Sequence, residues 1–287
     1  MFHALSRLIV KRHLRRAQRA GRPVGPGMAI FLDDFIGEKI LLDGGFDLEE
    51  LRCLERSVFP FVRKGAVCLD IGANIGNHAR FFARFFPRVY AFEPHPRIFG
   101  LLSANAYGQG IVAQNYGLSD RAGRFAVEEN RENLGASRIS EGAGSGPEYE
   151  VRRLDDVVGD LVQGDIGFVK IDVEGHEAQV IRGAAETLRR HRPIVTFEVL
   201  GSAVAAGGAG ALEELRALGY GHVYWLRPRA AWKAMRPGLM ARLARALARL
   251  SGGEAFEGLV LEPLAGLGGD QVYAVLVAST EALPVGG

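Results

Sequence analysis

The 287-residue sequence has little of what marks several protein classes. Its two cysteines, Cys53 and Cys68, have neither metal-ligand nor redox spacing, so a reduced, cytoplasmic protein is expected. No apolar run approaches the roughly 18 residues of a membrane-spanning helix. A net charge of +2 offers no global attraction for nucleic acid. The 38 glycines and 12 prolines follow no repeat period, which argues against a repeat architecture. What is present is 48% apolar residues, enough to bury the core of one large domain with appendages.

The chain is organised around Val67-Cys-Leu-Asp-Ile-Gly-Ala-Asn-Ile-Gly-Asn77. Val67 to Ile71 has the apolar continuity of a buried parallel strand. The run then breaks at Gly72, Ala73, Asn74 and Gly76, and His78 to Phe86 follow with helical spacing. Strand, glycine turn and helix together open a nucleotide-binding α/β unit. The pattern is D-x-G-x-x-x-G rather than G-x-G-x-x-G. A carboxylate at Asp70 suits a ligand with a cationic amine better than one with pyrophosphate. The next strand, Arg88 to Glu93, ends on an acid placed to grip ribose hydroxyls. The two acids at this spacing predict a site for S-adenosylmethionine (SAM), with Asp70, Gly72, Ala73, Asn74, Gly76, Asn77, Glu93 and Pro94 as its contacts.

Segments 1–25, 26–66 and 67–287 divide the chain by pattern. The first is a basic tail with a thin apolar stripe and no secretory h-region. It is expected to be frayed, with weak contact to an anionic membrane surface as the alternative. In the second, Met28 to Leu42 suggests a small hairpin turning near Gly37, and Asp47 to Val62 a helix capped by Asp47. In the third, a helix is expected from Pro96 to Tyr107, a third strand at Ile111 to Tyr116, and an adenine-facing turn at Ser119 and Asp120. Short β-like pieces between 125 and 154 suggest a small β insertion. Strands at Phe168–Asp172, Pro193–Leu200, His222–Leu226 and Gln271–Ala278, with helices from Glu177 to about Arg190 and over Ala211–Leu218, complete a mainly parallel, doubly wound sheet. A helical insertion is expected at about 227–269, where leucines 239, 243, 247 and 250 recur at helical spacing.

Together these residues resemble the FkbM-type SAM-dependent methyltransferases. The resemblance is carried by Leu69-Asp-Ile-Gly-Ala-Asn-Ile-Gly76, Ala91-Phe-Glu-Pro94, the L-L-x-x-N run ending at Asn105, and Gly117-Leu-Ser-Asp120. Asn133-Leu-Gly-Ala-Ser137 and Val169-Lys-Ile-Asp-Val-Glu-Gly-His-Glu177 complete the set, and the last is the most specific. It implies a class I, Rossmann-like methyltransferase sheet with an antiparallel last strand. It also implies methyl transfer, usually to a hydroxyl oxygen, here of a small molecule, sugar, or glycosylated or lipid metabolite.

Asp172 ends the fourth central strand, His176 begins the following helix, and Glu198 ends the neighbouring strand. Two acids and an imidazole on one rim can orient an acceptor or take its proton, and Asp172 is the first choice, then Glu198, then His176. No metal is required. A divalent ion on Asp172 and Glu198 is the less favoured alternative. Lys170 is expected to pair with one of the acids. A nicotinamide-dependent oxidoreductase and a non-catalytic SAM-binding protein are the competing functions.

Overall fold

The computed structural model describes residues 27–31, 34–128, 138–139, 147–199, 208–228, 258–265 and 274–284. The basic tail, the Asn133–Ser137 motif and the leucine-spaced stretch 239–250 lie outside these residues.

Val67–Ile71 forms β1, with every residue buried. Val67, Leu69 and Ile71 enter the core on one face of the sheet and Cys68 the core on the other, which explains the unbroken apolar run. Around it lie β2 (Val89–Phe92), β3 (Ile111–Gln114), β8 (Ile166–Ile171), β9 (Ile194–Glu198), β10 (His222–Pro228), β11 (Leu259–Pro263) and β12 (Val275–Ser279). The eight strands run in the order β11-β10-β12-β9-β8-β1-β2-β3. β3, β2, β1, β8 and β9 are parallel neighbours, while β12 is antiparallel to both β9 and β10. The chain winds outward in opposite directions from β1, through β2 and β3 on one side and β8 and β9 on the other. A crevice therefore opens at the carboxyl end of β1, where α/β sheets bind ligands.

The expected β insertion is a second sheet of β4 (Gly117–Leu118), β5 (Gly123–Glu128), β6 (Arg138–Ile139) and β7 (Glu148–Arg152), ordered β4-β7-β5-β6. Between β7 and β8, Leu154–Leu161 is a helix that the sequence pattern did not signal. Its Asp155 carboxylate accepts from the Glu186 and Thr187 N–H groups and the Thr187 hydroxyl, which ties its first turn to the first turn of the helix Ala185–His191. β11 is likewise unpredicted. It lies inside the stretch expected as a helical insertion and pairs antiparallel with β10.

The hairpin expected over Met28–Leu42 is not formed: Phe35–Asp43 is a helix, α1. Asp34 caps it by accepting from the Gly37 N–H, and Gly44 closes it at φ 86. Gly37 is needed for clearance rather than for a turn, since a Cβ there would sit 1.7 Å from the Phe31 carbonyl oxygen. Ile40 joins Ile75 and Ile98 in a small apolar cluster against the glycine loop. The next helix, α2, spans Leu48–Ser57 and stops short of Val62. Pro60 cannot donate to a continuing α ladder, and Phe59–Phe61 tightens into a 3-10 turn.

Two asparagines fasten this N-terminal region to the sheet domain. Asn77 exchanges two hydrogen bonds with the Phe46 backbone, at 3.0 and 3.1 Å. Asn105, buried near the end of the helix Pro96–Ala106, accepts from the Ala29 N–H and donates to the Ala29 and Ile75 carbonyls. The long helix expected after the fourth central strand is two helices, Glu177–Gly183 and Ala185–His191. The break falls where Gly183 presses on the Ser119 backbone, since a Cβ there would lie 1.9 Å from the Ser119 oxygen.

Candidate active site

The crevice is a cavity of about 370 Å3 at the carboxyl ends of β1, β2, β8 and β9, closed on one side by the segment between α1 and α2. Glu93, Pro94 and His95 after β2 line it, as do Leu118 and Tyr149 of the small sheet. So do Asp172, Val173, Glu174 and His176 after β8, and Glu198 at the end of β9. Phe46, Asp47 and Glu50 complete the wall from the N-terminal region.

The loop after β1 is held by backbone bonds. The N–H groups of Gly72 and Ala73 both donate to the Phe92 carbonyl, at 3.1 and 2.9 Å. Gly72, at φ 77, lies so close to β8 that a Cβ would sit 1.8 Å from the Asp172 carbonyl oxygen. Only glycine fits there, and the reason is strand-end packing as much as access to a ligand. Glu93 is buried, and its two oxygens accept from Asn74 N–H at 3.1 Å and His95 N–H at 2.8 Å. Burial pushes its carboxyl up to about 7, against those two bonds. Each oxygen keeps a lone pair for a further donor on the cavity side.

Lys170 organises the middle of the site. Its Nζ lies 3.2 Å from Asp70 Oδ1, 3.1 Å from Asp172 Oδ2 and 3.0 Å from the Gly72 carbonyl, to which it donates. Burial alone would lower its pKa, but Asp172 and Asp70 outweigh burial and keep the ammonium charged. Burial likewise favours a neutral Asp172, and Lys170 and the bond from Glu198 reverse this and hold it ionised. Glu198 is pushed up to about 9 by burial and by the Asp172 charge, so it keeps its proton and shares it with Asp172. Carboxylate oxygens of Asp172, Glu174 and Glu198 lie within 4.8 Å of one another and have the ligand chemistry for a hard divalent cation.

Of the residues expected to hold SAM, Gly72, Asn74, Glu93 and Pro94 line the cavity. Asp70 does not: it is fully buried beneath the loop and faces Lys170. Neither of its oxygens has a well-formed hydrogen bond, so the contact is an ion pair rather than a bonded cap. Ala73 and Gly76 are buried in loop packing, and Asn77 is taken up by Phe46. Ser119 lies behind the wall, 2.8 Å from His176 Nε2, and Asp120 pairs with Arg182. All three residues expected to act on the acceptor, Asp172, His176 and Glu198, line the cavity.

Two acids escaped the sequence reading. Asp47 was taken for a helix cap, but its side chain makes no capping bond, and it sits at φ 52 on the cavity wall. Glu50, one turn on, lines the same wall. Burial, then the Asp172 charge, pushes Asp47 up to about 6; burial, then Asp47 and Asp172, pushes Glu50 up to about 8. The only available signal was the i, i+3 spacing of two acids in a first helical turn, which usually reflects the helix dipole. His78 Nε2 lies 3.9 Å from Asp47, and burial lowers its pKa to about 3, leaving the ring neutral.

Sheet order, the antiparallel last strand and the cavity at the β1 crevice define a class I, Rossmann-like methyltransferase fold. Residues 70–221 match the methyltransferase FkbM domain, and the chain belongs to that family. Three curated relatives are similar to it. Hexuronic acid methyltransferase AglP of Haloferax volcanii is 33% identical over 131 residues, covering 43% of this chain and 52% of that protein. 2-O-methyltransferase NoeI of Sinorhizobium fredii is 31% identical over 151 residues, 45% of this chain and 62% of that protein. 31-O-demethyl-FK506 methyltransferase FkbM of Streptomyces tacrolimicus is 30% identical over 160 residues, 44% of this chain and 62% of that protein. The matches thus span between half and two-thirds of these relatives' lengths. Family membership implies SAM as methyl donor and displaces the nicotinamide alternative. Among the described residues, no helix is long and apolar enough to cross a membrane.

Proposed function

We propose that the chain is a SAM-dependent O-methyltransferase acting on a hydroxyl of a small molecule or sugar. The observation that carries this is Glu93, a buried carboxylate held by two backbone N–H groups, lining the same cavity as Asp172. Glu93 accepts ribose hydroxyls, Asn74 and Pro94 shape the loop around the nucleoside, and Leu118 and Tyr149 pack the base. Bound SAM supplies a sulfonium methyl that is already activated for in-line displacement.

The remaining work falls to this chain's residues. Asp172, kept ionised by Lys170, accepts a hydrogen bond from the acceptor hydroxyl and so aims its oxygen. Asp172 would take the hydroxyl proton as the acceptor oxygen is methylated, and a weak base suffices because that proton would be strongly acidic by then. Glu198 donates to Asp172 and fixes its rotamer. His176, tied to Ser119, holds the turn from Val173 to Glu177. A divalent cation on Asp172, Glu174 and Glu198 is a second way to bind the hydroxyl.

The relatives' printed names, a hexuronic acid and a 2-O position among them, support a sugar or other hydroxylated metabolite as acceptor. We place the protein in the cytoplasm, in keeping with the buried Cys53 and Cys68, which form no disulfide. We read 67–287 as the SAM-binding methyltransferase domain and 26–66 as its cap, with no nucleic-acid partner. Incubation with methyl-labelled SAM and a panel of glycosides and hydroxylated extracts tests the function. Label in an alkali-stable ether is expected; label confined to protein or nucleic acid would contradict it.

A further inference from the structure

On the reading that this cavity binds SAM, we infer that the carboxylates receiving the donor's α-ammonium are Glu50 and Asp47 of the N-terminal cap, not the strand-tip acid Asp70. Three observations lead there. Asp70 is fully buried, outside the cavity wall, and its charge is neutralised by Lys170 at 3.2 Å. Any ammonium in the cavity is therefore screened from it by the Gly72 loop and by a competing cation.

Among the described residues, six carboxylates line the cavity and no lysine or arginine does. Glu93 is taken by two backbone donors and, on this reading, by the ribose, and Asp172 is held by Lys170. Glu50 has no hydrogen bond or ion pair with any described residue, although it lines the wall and is half-buried there, so that burial and the charges of Asp47 and Asp172 disfavour its ionised form. A cation beside it would offset both effects.

Glu93, Gly72, Asp47 and Glu50 all line this one cavity. A ligand with its ribose at Glu93 can therefore place its amino-acid tail against the cap without leaving it. Asp47 is held on this wall by the two-bond clamp between Asn77 and the adjacent Phe46. A protonated amine between Asp47 and Glu50 would relieve their mutual repulsion, and ligand binding would fasten the cap. Both acids lie outside the matched domain, 70–221.

Calorimetry on the full chain tests this with two probes. S-adenosylhomocysteine carries the ammonium; 5′-methylthioadenosine has the same adenosyl thioether without the amino-acid tail. Glu50→Gln and Asp47→Asn keep side-chain size and remove charge. We expect each to weaken S-adenosylhomocysteine by about tenfold, the scale of one charge-assisted hydrogen bond, and to leave methylthioadenosine within about twofold. Equal weakening of both probes, or of neither, overturns the inference, and a melting curve checks that each variant is folded. If wild-type protein binds neither probe, the SAM reading itself fails, which is a different result from either.

Discussion

Asp70 and Lys170 stand in register on neighbouring parallel strands, with Nζ 3.2 Å from Oδ1, and the same ammonium reaches 3.1 Å to Asp172. One buried cation thus joins β1, beneath the Gly72 loop, to the acid that follows β8 on the cavity wall.

Removing that cation leaves two carboxylates without their partner. Lys170→Met is expected to destabilise the fold by about 3–5 kcal/mol, the usual consequence of breaking a buried pair from one side. Adding Asp70→Asn should recover part of the loss. Urea denaturation of both variants checks this; an unchanged midpoint in Lys170→Met would show that the pair contributes nothing.

Asp172→Asn keeps the shape of the side chain and removes its charge. SAM affinity should stay within a few-fold while single-turnover rate falls about 10²-fold or more. If the acids work through a cation, chelator should abolish wild-type activity, and Glu198→Gln should show the same defect as Asp172→Asn. A variant that melts lower yet turns over normally would make Asp172 structural.

Stability should depend on pH through the raised carboxyls. Glu50 and Glu198, pushed to about 8 and about 9, bind protons more tightly when folded than the ordinary glutamate value near 4.5 implies. Their contribution is therefore complete below that ordinary value and is lost as pH rises through about 8 to 9. Glu50→Gln should melt progressively higher than wild type as pH rises from about 5 to about 8, the window set by that group, with the difference level above it. A constant difference across that range would contradict the assignment.

The cap should depend on its two asparagines. Asn105→Ala removes three hydrogen bonds, to Ala29 and Ile75, and is expected to cost about 1–3 kcal/mol. Asn77→Ala should loosen Phe46 and Asp47 with a smaller loss. Hydrogen exchange over residues 35–57 reads this directly: faster exchange is expected there, with β1 and β8 unaffected.

Much of this was legible in the sequence, for reasons that particular residues make plain. β1, β8 and β9 are buried on both faces, so their apolar runs are continuous and their ends are marked by Gly72, Asp172 and Glu198. Glu93 could be expected at the cavity because the strand end beside the first glycine turn opens on the crevice in this architecture. Asp70 could not, because whether a strand-tip acid faces a ligand or a lysine depends on the register of β1 with β8, a tertiary fact. Gly37 misled in another way: the missing Cβ admits the Phe31 carbonyl beside a helix and does not make a turn. Asp47 and Glu50 reach the site through tertiary packing, the Asn77 clamp on Phe46 together with the burial of Leu51 and Leu54 in the core, and neither is visible in local sequence.

The central claim is that this cavity holds SAM with its ribose on Glu93. Titration calorimetry of SAM into wild type and Glu93→Gln tests it most directly. The account predicts a single site in wild type and affinity at least about tenfold weaker in the variant, since a neutral amide replaces a charged acceptor of two hydroxyls. Absence of heat at millimolar SAM, or equal affinity in the two proteins, would contradict it.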